Sequence, residues 1–264
     1  MSESAARELD RHGYADGPVH RLDARAKLVA TGAFVLCVAS FGKYEVAGLI
    51  PFLAFPAALA VIGRVPPRPL ARLLVAASPF ALLVGVANPL LDRAPRAVVL
   101  GAVVSGGALS LASILLRFVL CTSAALILVA TTSLPALLRG LAQLGVPRPF
   151  VAQVQLLYRY LFLLVDEGRR LSQARALREP GRRLPRPATA RRMVGSLVLR
   201  TWERADRIYD CMRARGFDGS FPVLAPARFR ARDALFTAGI VLACPLLRAI
   251  PAASLAALLS GGRP

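Results

Sequence analysis

The clearest recognition chemistry in this sequence sits in two arginine-bearing segments. One is Ala174-Arg175-Ala176-Leu177-Arg178 and the other is Cys211-Met212-Arg213-Ala214-Arg215-Gly216. Each sets a small side chain four positions before an arginine, and the two lie about ten helical turns apart in sequence. Positions i and i+4 share a helix face, so Ala174 lies under Arg178 and Cys211 under Arg215. A small residue lets a second surface approach the helix. A guanidinium one turn on can then make a bidentate contact with a carboxylate on that surface. That is docking chemistry for an acidic groove on a partner. The same residues also read as solvated arginines on basic helix faces, the ordinary state of an exposed charge run.

Bond-making chemistry has no comparable support. No stretch matches GxxxxGK[ST], so nucleotide phosphates have no P-loop cradle. HExxH, GxSxG and the protein-kinase signatures are missing as well. The apolar stretches hold no Asp or Glu pair to relay protons. His12 and His20 are the only histidines, and Cys37, Cys121, Cys211 and Cys244 form no CxxC. Neither a metal site, a disulfide framework nor a cofactor is indicated. The sequence reads as a non-catalytic protein.

The elements that must position the arginines emerge from composition. The 264 residues are 56% hydrophobic yet carry a formal charge of +19, and the mean hydropathy is +0.54. A soluble domain is seldom so apolar and so basic at once. The two properties separate along the chain, because residues 131–232 hold 20 of the 34 basic side chains but 7 of the 15 acidic ones. Nucleic acid is not the expected partner. Phosphate binding needs a basic surface but not flanking apolar spans. Positive charge beside membrane spans follows from retention of Arg and Lys in the cytoplasm and from attraction to anionic lipids.

Apolar stretches at 28–41, 46–62, 70–91, 106–130 and 234–250 predict an all-α integral membrane protein with about five transmembrane helices. A span needs about 20 apolar residues. The third and fourth stretches meet this, and the first does so only with tilt or bilayer thinning. The positive-inside rule puts the N-terminus and residues 131–232 in the cytoplasm and the C-terminus outside. A sixth span from the last fifteen residues would return the C-terminus. The expected layout is a cytoplasmic tail at 1–27, helices 1–4 at 28–130, a cytoplasmic region at 131–232 and a last transmembrane segment at 233–264. The tail is polar and mixed in charge, unlike a secretory signal.

Within 131–232, apolar spacings of three and four predict a helix over 150–177. Pro180, Pro185 and Pro187 break it, leaving 180–190 as the mobile connection. A second helix is expected over 189–215, closed by Gly216 in the left-handed conformation, with Phe217 supplying the apolar residue of a Schellman-type end. Four other features have two readings or one bland one. Arg117 lies mid-span, either touching a membrane partner or pairing with backbone carbonyls. Asp166 and Glu167 face Arg169 and Arg170 in an intrahelical ion-pair network. Trp202 either anchors at the lipid headgroups or packs between the two basic helices. Gly101, Gly106 and Gly107 either permit close helix approach or form a bent loop.

The stretch Tyr158-Arg159-Tyr160-Leu161-Phe162-Leu163-Leu164-Val165-Asp166-Glu167, continuing to Arg178, resembles the transmembrane T component of energy-coupling factor (ECF) transporters. So does Arg200-Thr201-Trp202-Glu203-Arg204-Ala205-Asp206-Arg207-Ile208-Tyr209, continuing to Gly219. The cobalt-type CbiQ subgroup is the nearest in pattern. The similarity extends to Leu22-Asp23-Ala24-Arg25-Ala26-Lys27 and to Thr131-Thr132-Ser133, and so covers nearly the whole chain. It implies two long cytoplasmic coupling helices, each ending in an Ala-Arg-Gly signature. Ala174 and Arg178 match the first, with Glu179 in place of Gly. Arg215 and Gly216 match the second, with Cys211 in place of Ala. A carboxylate at Glu179 would face the negative end of the helix dipole.

The resemblance further implies the partners and the role. They are two ATP-binding cassette ATPases, which receive the arginines, and a metal-binding S component in the same membrane, surrounded by membrane lipids. The location implied is the cell (inner) membrane. Cobalt, nickel or a vitamin as substrate stays open. Two other functions fit the residues alone: a membrane scaffold binding acidic partners or lipids, and an integral-membrane transferase using the arginines on a phosphate.

Overall fold

The computed structural model describes residues 17, 19–42, 45–91, 95–99, 102–178, 186–219 and 229–249. Helices account for nearly all of them. Helix α1 spans Ala24–Ala39. A 3-10 stretch, Ala47–Leu53, runs into α2, Ala54–Ile62. Next come α3, Pro67–Leu91, and α4, Gly106–Thr131. The short α5, Leu134–Gln143, leads to α6, Arg148–Arg178, and α7, Pro187–Ala214. The last described helix is α8, Ala231–Ala249.

One hairpin departs from the helical expectation. Strands β1, Pro95–Val99, and β2, Ala102–Ser105, pair antiparallel, with Val98 opposite Val103 and Val99 opposite Ala102. Valines are stiff at χ1 and favour extended backbone, which explains this placement between two apolar helices. Gly106 and Gly107 begin α4 and are buried, so they belong to the helix rather than to a bent loop.

Among the described residues, two helices are long and apolar enough to cross a membrane by length and composition, Pro67–Ala87 and Gly106–Thr131. The stretch at 46–62 is not one regular helix, because a 3-10 segment containing Pro51 precedes α2. Proline supplies no N–H to continue an α-helical ladder. Helix α1 has 16 residues. It rises about 24 Å, short of a hydrocarbon core of about 30 Å.

The chain divides into two compact units, one of Met1–Gly140 with Ala227–Pro264 and one of Leu141–Pro226. In the first, α1 packs against both α4 and α8, and α3 packs along α4. The core gathers Phe34, Val38 and Phe41 of the α1 region, Leu49 and Phe52 of the 3-10 stretch, Leu120 and Ala124 of α4, and Cys244 of α8. Phe34 stacks on Phe55 at 4.4 Å between centroids, and Phe41 meets Phe52 edge-on at 5.3 Å. Such pairs add about 0.5–1.5 kcal/mol each beyond area burial.

Polar contacts bracket α1 at both ends. At its C-terminus Arg248 donates to the Ser40 carbonyl at 3.1 Å and to the Ser40 hydroxyl, while Arg117 donates to the Gly42 carbonyl. Cations suit this end, where helix carbonyls lack partners. For Arg117 this is the pairing with a backbone carbonyl that one of its two readings expects. At the other end, the N-termini of α1 and α8 meet the C-terminus of α4. Helices α1 and α8 therefore run parallel, with α4 antiparallel to them.

The second unit holds α6 and α7. Ala152 is the single buried side chain described on these two helices. The expected break and mobile connection, with Glu179, Pro180 and Pro185, fall largely outside the described residues, which resume at Arg186. So do most of the N-terminal tail and the last fifteen residues.

Candidate functional site

Helix α6 begins two residues before, and ends one residue after, the span read from apolar spacing. Helix α7 opens with Pro187 in its first turn, where proline's missing N–H costs nothing. The two are tied by an ion pair, Glu167 to Arg200 at 2.9 Å. This corrects the expectation that Glu167 pairs within its own helix. Asp166 does so, with Arg169 at 3.7 Å. Both pairs are partly solvated and contribute at most about 1 kcal/mol each.

The end of α7 is a Schellman motif, as the Arg-Gly-Phe order predicts. The Phe217 N–H donates to the Met212 carbonyl at 3.0 Å, and the Gly216 N–H to the Arg213 carbonyl at 3.0 Å. Gly216 has φ +75°, a left-handed conformation that a Cβ penalises. Arg215 is the C-cap residue. The motif fixes its backbone, so the arginine sits at a defined helix end rather than on a fraying one.

Cys211 and Arg215 line one groove of about 590 Å³ between α6 and α7. Arg159, Arg204 and Arg207 line it too, so four guanidiniums surround one concavity. Among the described residues no carboxylate lines the groove, and its apolar part comes from Leu156, Tyr160, Ile208 and Met212. Arg207 has an i,i+4 contact with Glu203, at the long distance of 4.0 Å. Clustered like charges with apolar contact area favour an anionic ligand that brings its own apolar surface.

Ala174 and Arg178 stand elsewhere. They are exposed in the last turn of α6 and do not line that groove. The structure thus joins Cys211 to Arg215 but does not merge the two arginine segments into one site. Trp202 is 70% exposed, which rules out its packing between α6 and α7. Leu177 at 85%, Val198 at 58% and Leu199 at 67% are also open. Apolar exposure on this scale marks surfaces made for covering.

A second cluster, in the first unit, escaped the motif reading. Asp23 caps α1, its Oδ1 accepting the Arg25 N–H at 2.9 Å. The Lys27 ammonium donates to the Thr131 carbonyl at 2.9 Å and to the Thr132 hydroxyl at 3.0 Å. Asp233 accepts the Arg230 N–H at 2.9 Å, the reach-back half of a capping box, and also the Asp23 N–H at 3.1 Å. Lys27 is 4% exposed and Asp233 1%. Lys27 precedes the apolar stretch of α1, and burial pushes its ammonium down to about 8, with Asp23 and Asp233 pulling upward. The segments around Asp23–Lys27 and Thr131–Thr132 stand out in the sequence, but nothing there shows that they touch. Asp233 carries no signal except an acidic residue in a first helical turn.

Among the described residues no three His, Cys, Asp or Glu side chains gather as a ligand set. The sequence model of the CbiQ family, described as cobalt transport protein, matches residues 16–224. An uncharacterized protein of Methanocaldococcus jannaschii, MJ1571, is 25% identical over 134 residues, covering 50% of this chain and 46% of that one. A putative fused cobalt transport protein, CbiMQ, of Methanocorpusculum labreanum is 29% identical over 90 residues, covering 34% of this chain and 15% of that one. The aligned segments thus span less than half the length of these curated relatives.

Proposed function

Because the chain belongs to the CbiQ cobalt transport protein family, we propose that it is the transmembrane coupling subunit of an ECF-type importer for cobalt. It is a cobalt-type transporter component. In the proposed mechanism the first unit lies in the membrane, and α6 and α7 are the cytoplasmic coupling helices. Two ATP-binding cassette ATPases bind them, and a membrane S component carries the metal as substrate. The observation that carries this reading is the end of α7. A Schellman motif fixes Arg215, and Cys211 shares the same arginine-lined groove.

The chemistry of the docking step follows from those side chains. The small Cys211 leaves room for a partner surface one turn before Arg215. A carboxylate on that surface replaces water around the guanidinium and forms a bidentate pair. Partner exclusion of water strengthens the pair, and breaking a buried pair costs about 3–5 kcal/mol. Arg178, with Ala174 one turn before it, offers a second contact at the end of α6. Nucleotide-driven movement of the ATPases then displaces both helix ends, and the membrane helices follow.

Arg215→Glu tests this. The reading expects loss of ATPase co-purification and of cobalt uptake, with normal amounts of the subunit in the membrane. If the Arg215→Glu protein still assembles and transports, Arg215 is not the docking residue. A lipid-binding scaffold would instead release its ligand gradually with rising salt.

A further inference from the structure

We propose that Lys27 is the positioning residue of a buried joint through which motion of α5 reaches three membrane helices; this rests on the coupling role proposed above. The joint ties chain positions more than 200 residues apart, since the Asp23 N–H donates to Asp233 Oδ1. Its charges match the helix ends they serve. Two carboxylates sit at the N-termini of α1 and α8, and the ammonium sits at the C-terminal carbonyl of α4. Asp23 Oδ2 is buried without a hydrogen-bond partner. A cluster of two buried carboxylates, one ammonium and an orphaned oxygen adds little stability over apolar packing of the same volume. What it does supply is a fixed relation among three helix ends.

Helix α5 bears on that same point. A Cβ on Gly140 would lie 3.1 Å from Leu28 Cδ1, 3.2 Å from Ala24 Cβ and 3.3 Å from the Arg25 nitrogen. The absence of a side chain seats α5 directly on the turn of α1 that holds Asp23 and Lys27. In sequence α5 is the element just before α6. A displacement of α5 therefore loads this turn. With Lys27 in place the turn cannot shift without the end of α4 and the start of α8. With the ammonium removed, α1 moves with α8 but no longer with α4, which stays behind.

The test compares wild type and Lys27→Met in the complete complex, co-expressed with the ATPases and S component and reconstituted in vesicles. The readout is radioactive cobalt(II) taken up per ATP hydrolysed, a ratio that a purely structural role would not move. Lys27→Met should keep assembly and ATP hydrolysis within about twofold while uptake per ATP falls about tenfold, the range by which coupling residues act. Lys27→Arg should recover part of the ratio. An unchanged ratio overturns the inference, and so does a loss of uptake and hydrolysis in proportion to the protein present. If Lys27→Met does not accumulate, the near-isosteric Thr132→Val decides. A fall of about threefold in uptake per ATP supports the joint, and no fall overturns it. A wild-type chain that holds no ATPase or moves no cobalt overturns the coupling reading itself. A wild type that couples, beside variants that couple equally, overturns the joint alone.

Discussion

Asp233→Ala is the sharpest stability test of the buried cluster. The substitution removes two acceptors and little bulk. The Arg230 N–H lies near the start of α8 and is partly buried, so water can replace its lost partner. The Asp23 N–H is buried and cannot be served that way. A hydrogen bond to a charged group contributes about 1.5–3 kcal/mol, and an abandoned buried donor costs about 1–3 kcal/mol. Taken together, these leave a net loss of about 3 kcal/mol. At about 2–4 °C per kcal/mol for a chain of this size, the melting point should fall by roughly 6–12 °C. Thermal unfolding of the full chain in detergent, followed by loss of the monodisperse chromatographic peak, measures it. Asp233→Asn keeps one acceptor oxygen and should lose about half as much. If both variants melt within about 1 °C of wild type, the carboxylate does not serve those two amides and the reasoning fails.

Three further outcomes follow from particular residues. Gly216→Ala meets no neighbour within 4 Å, so its cost is purely backbone, about 1–2 kcal/mol; faster amide exchange at Gly216 and Phe217 should report it, and unchanged protection would contradict the left-handed cap. A double-mutant cycle on Glu167 and Arg200 should give a coupling of at most about 1 kcal/mol that fades with salt, because the pair is partly solvated; a coupling above about 2 kcal/mol would show a desolvated bridge. Burial holds Lys27 at about 8 against an ordinary 10.5, so between those values the unfolded chain binds more protons than the folded one. Stability of wild type relative to Lys27→Met should therefore rise as pH climbs from 8 to 10.5, and a flat or falling difference would contradict that burial.

Local signals were legible where chemistry and geometry are both local. The Arg215-Gly216-Phe217 order specifies a helix end, and hydrogen bonds from Gly216 and Phe217 realise it. Apolar spacing located α6, and the proline break with Gly216 located α7, each to within two residues. The hairpin at Val98 and Val103 was hidden because an apolar run bounded by glycine reads equally as helix or strand. Helix α1 is a full turn or more shorter than a comfortable span, and its polar ends are satisfied by Arg117, Arg248 and Asp233 from elsewhere. Tertiary partners of that kind leave no trace in periodicity. For the same reason Glu167 was assigned to its own helix when Arg200, 33 residues on, takes it.

Cys211 offers the most direct test of the central claim, because its thiol is exposed one turn before Arg215 while Cys244 is buried and Cys37 and Cys121 are partly so. A maleimide-based cross-linker placed on Cys211 of the full chain in native membranes should capture an ATP-binding cassette ATPase, and Cys211→Ser should abolish the product. Arg215→Glu should reduce that capture at equal thiol labelling. Efficient labelling of Cys211 with no ATPase captured would contradict docking at the end of α7.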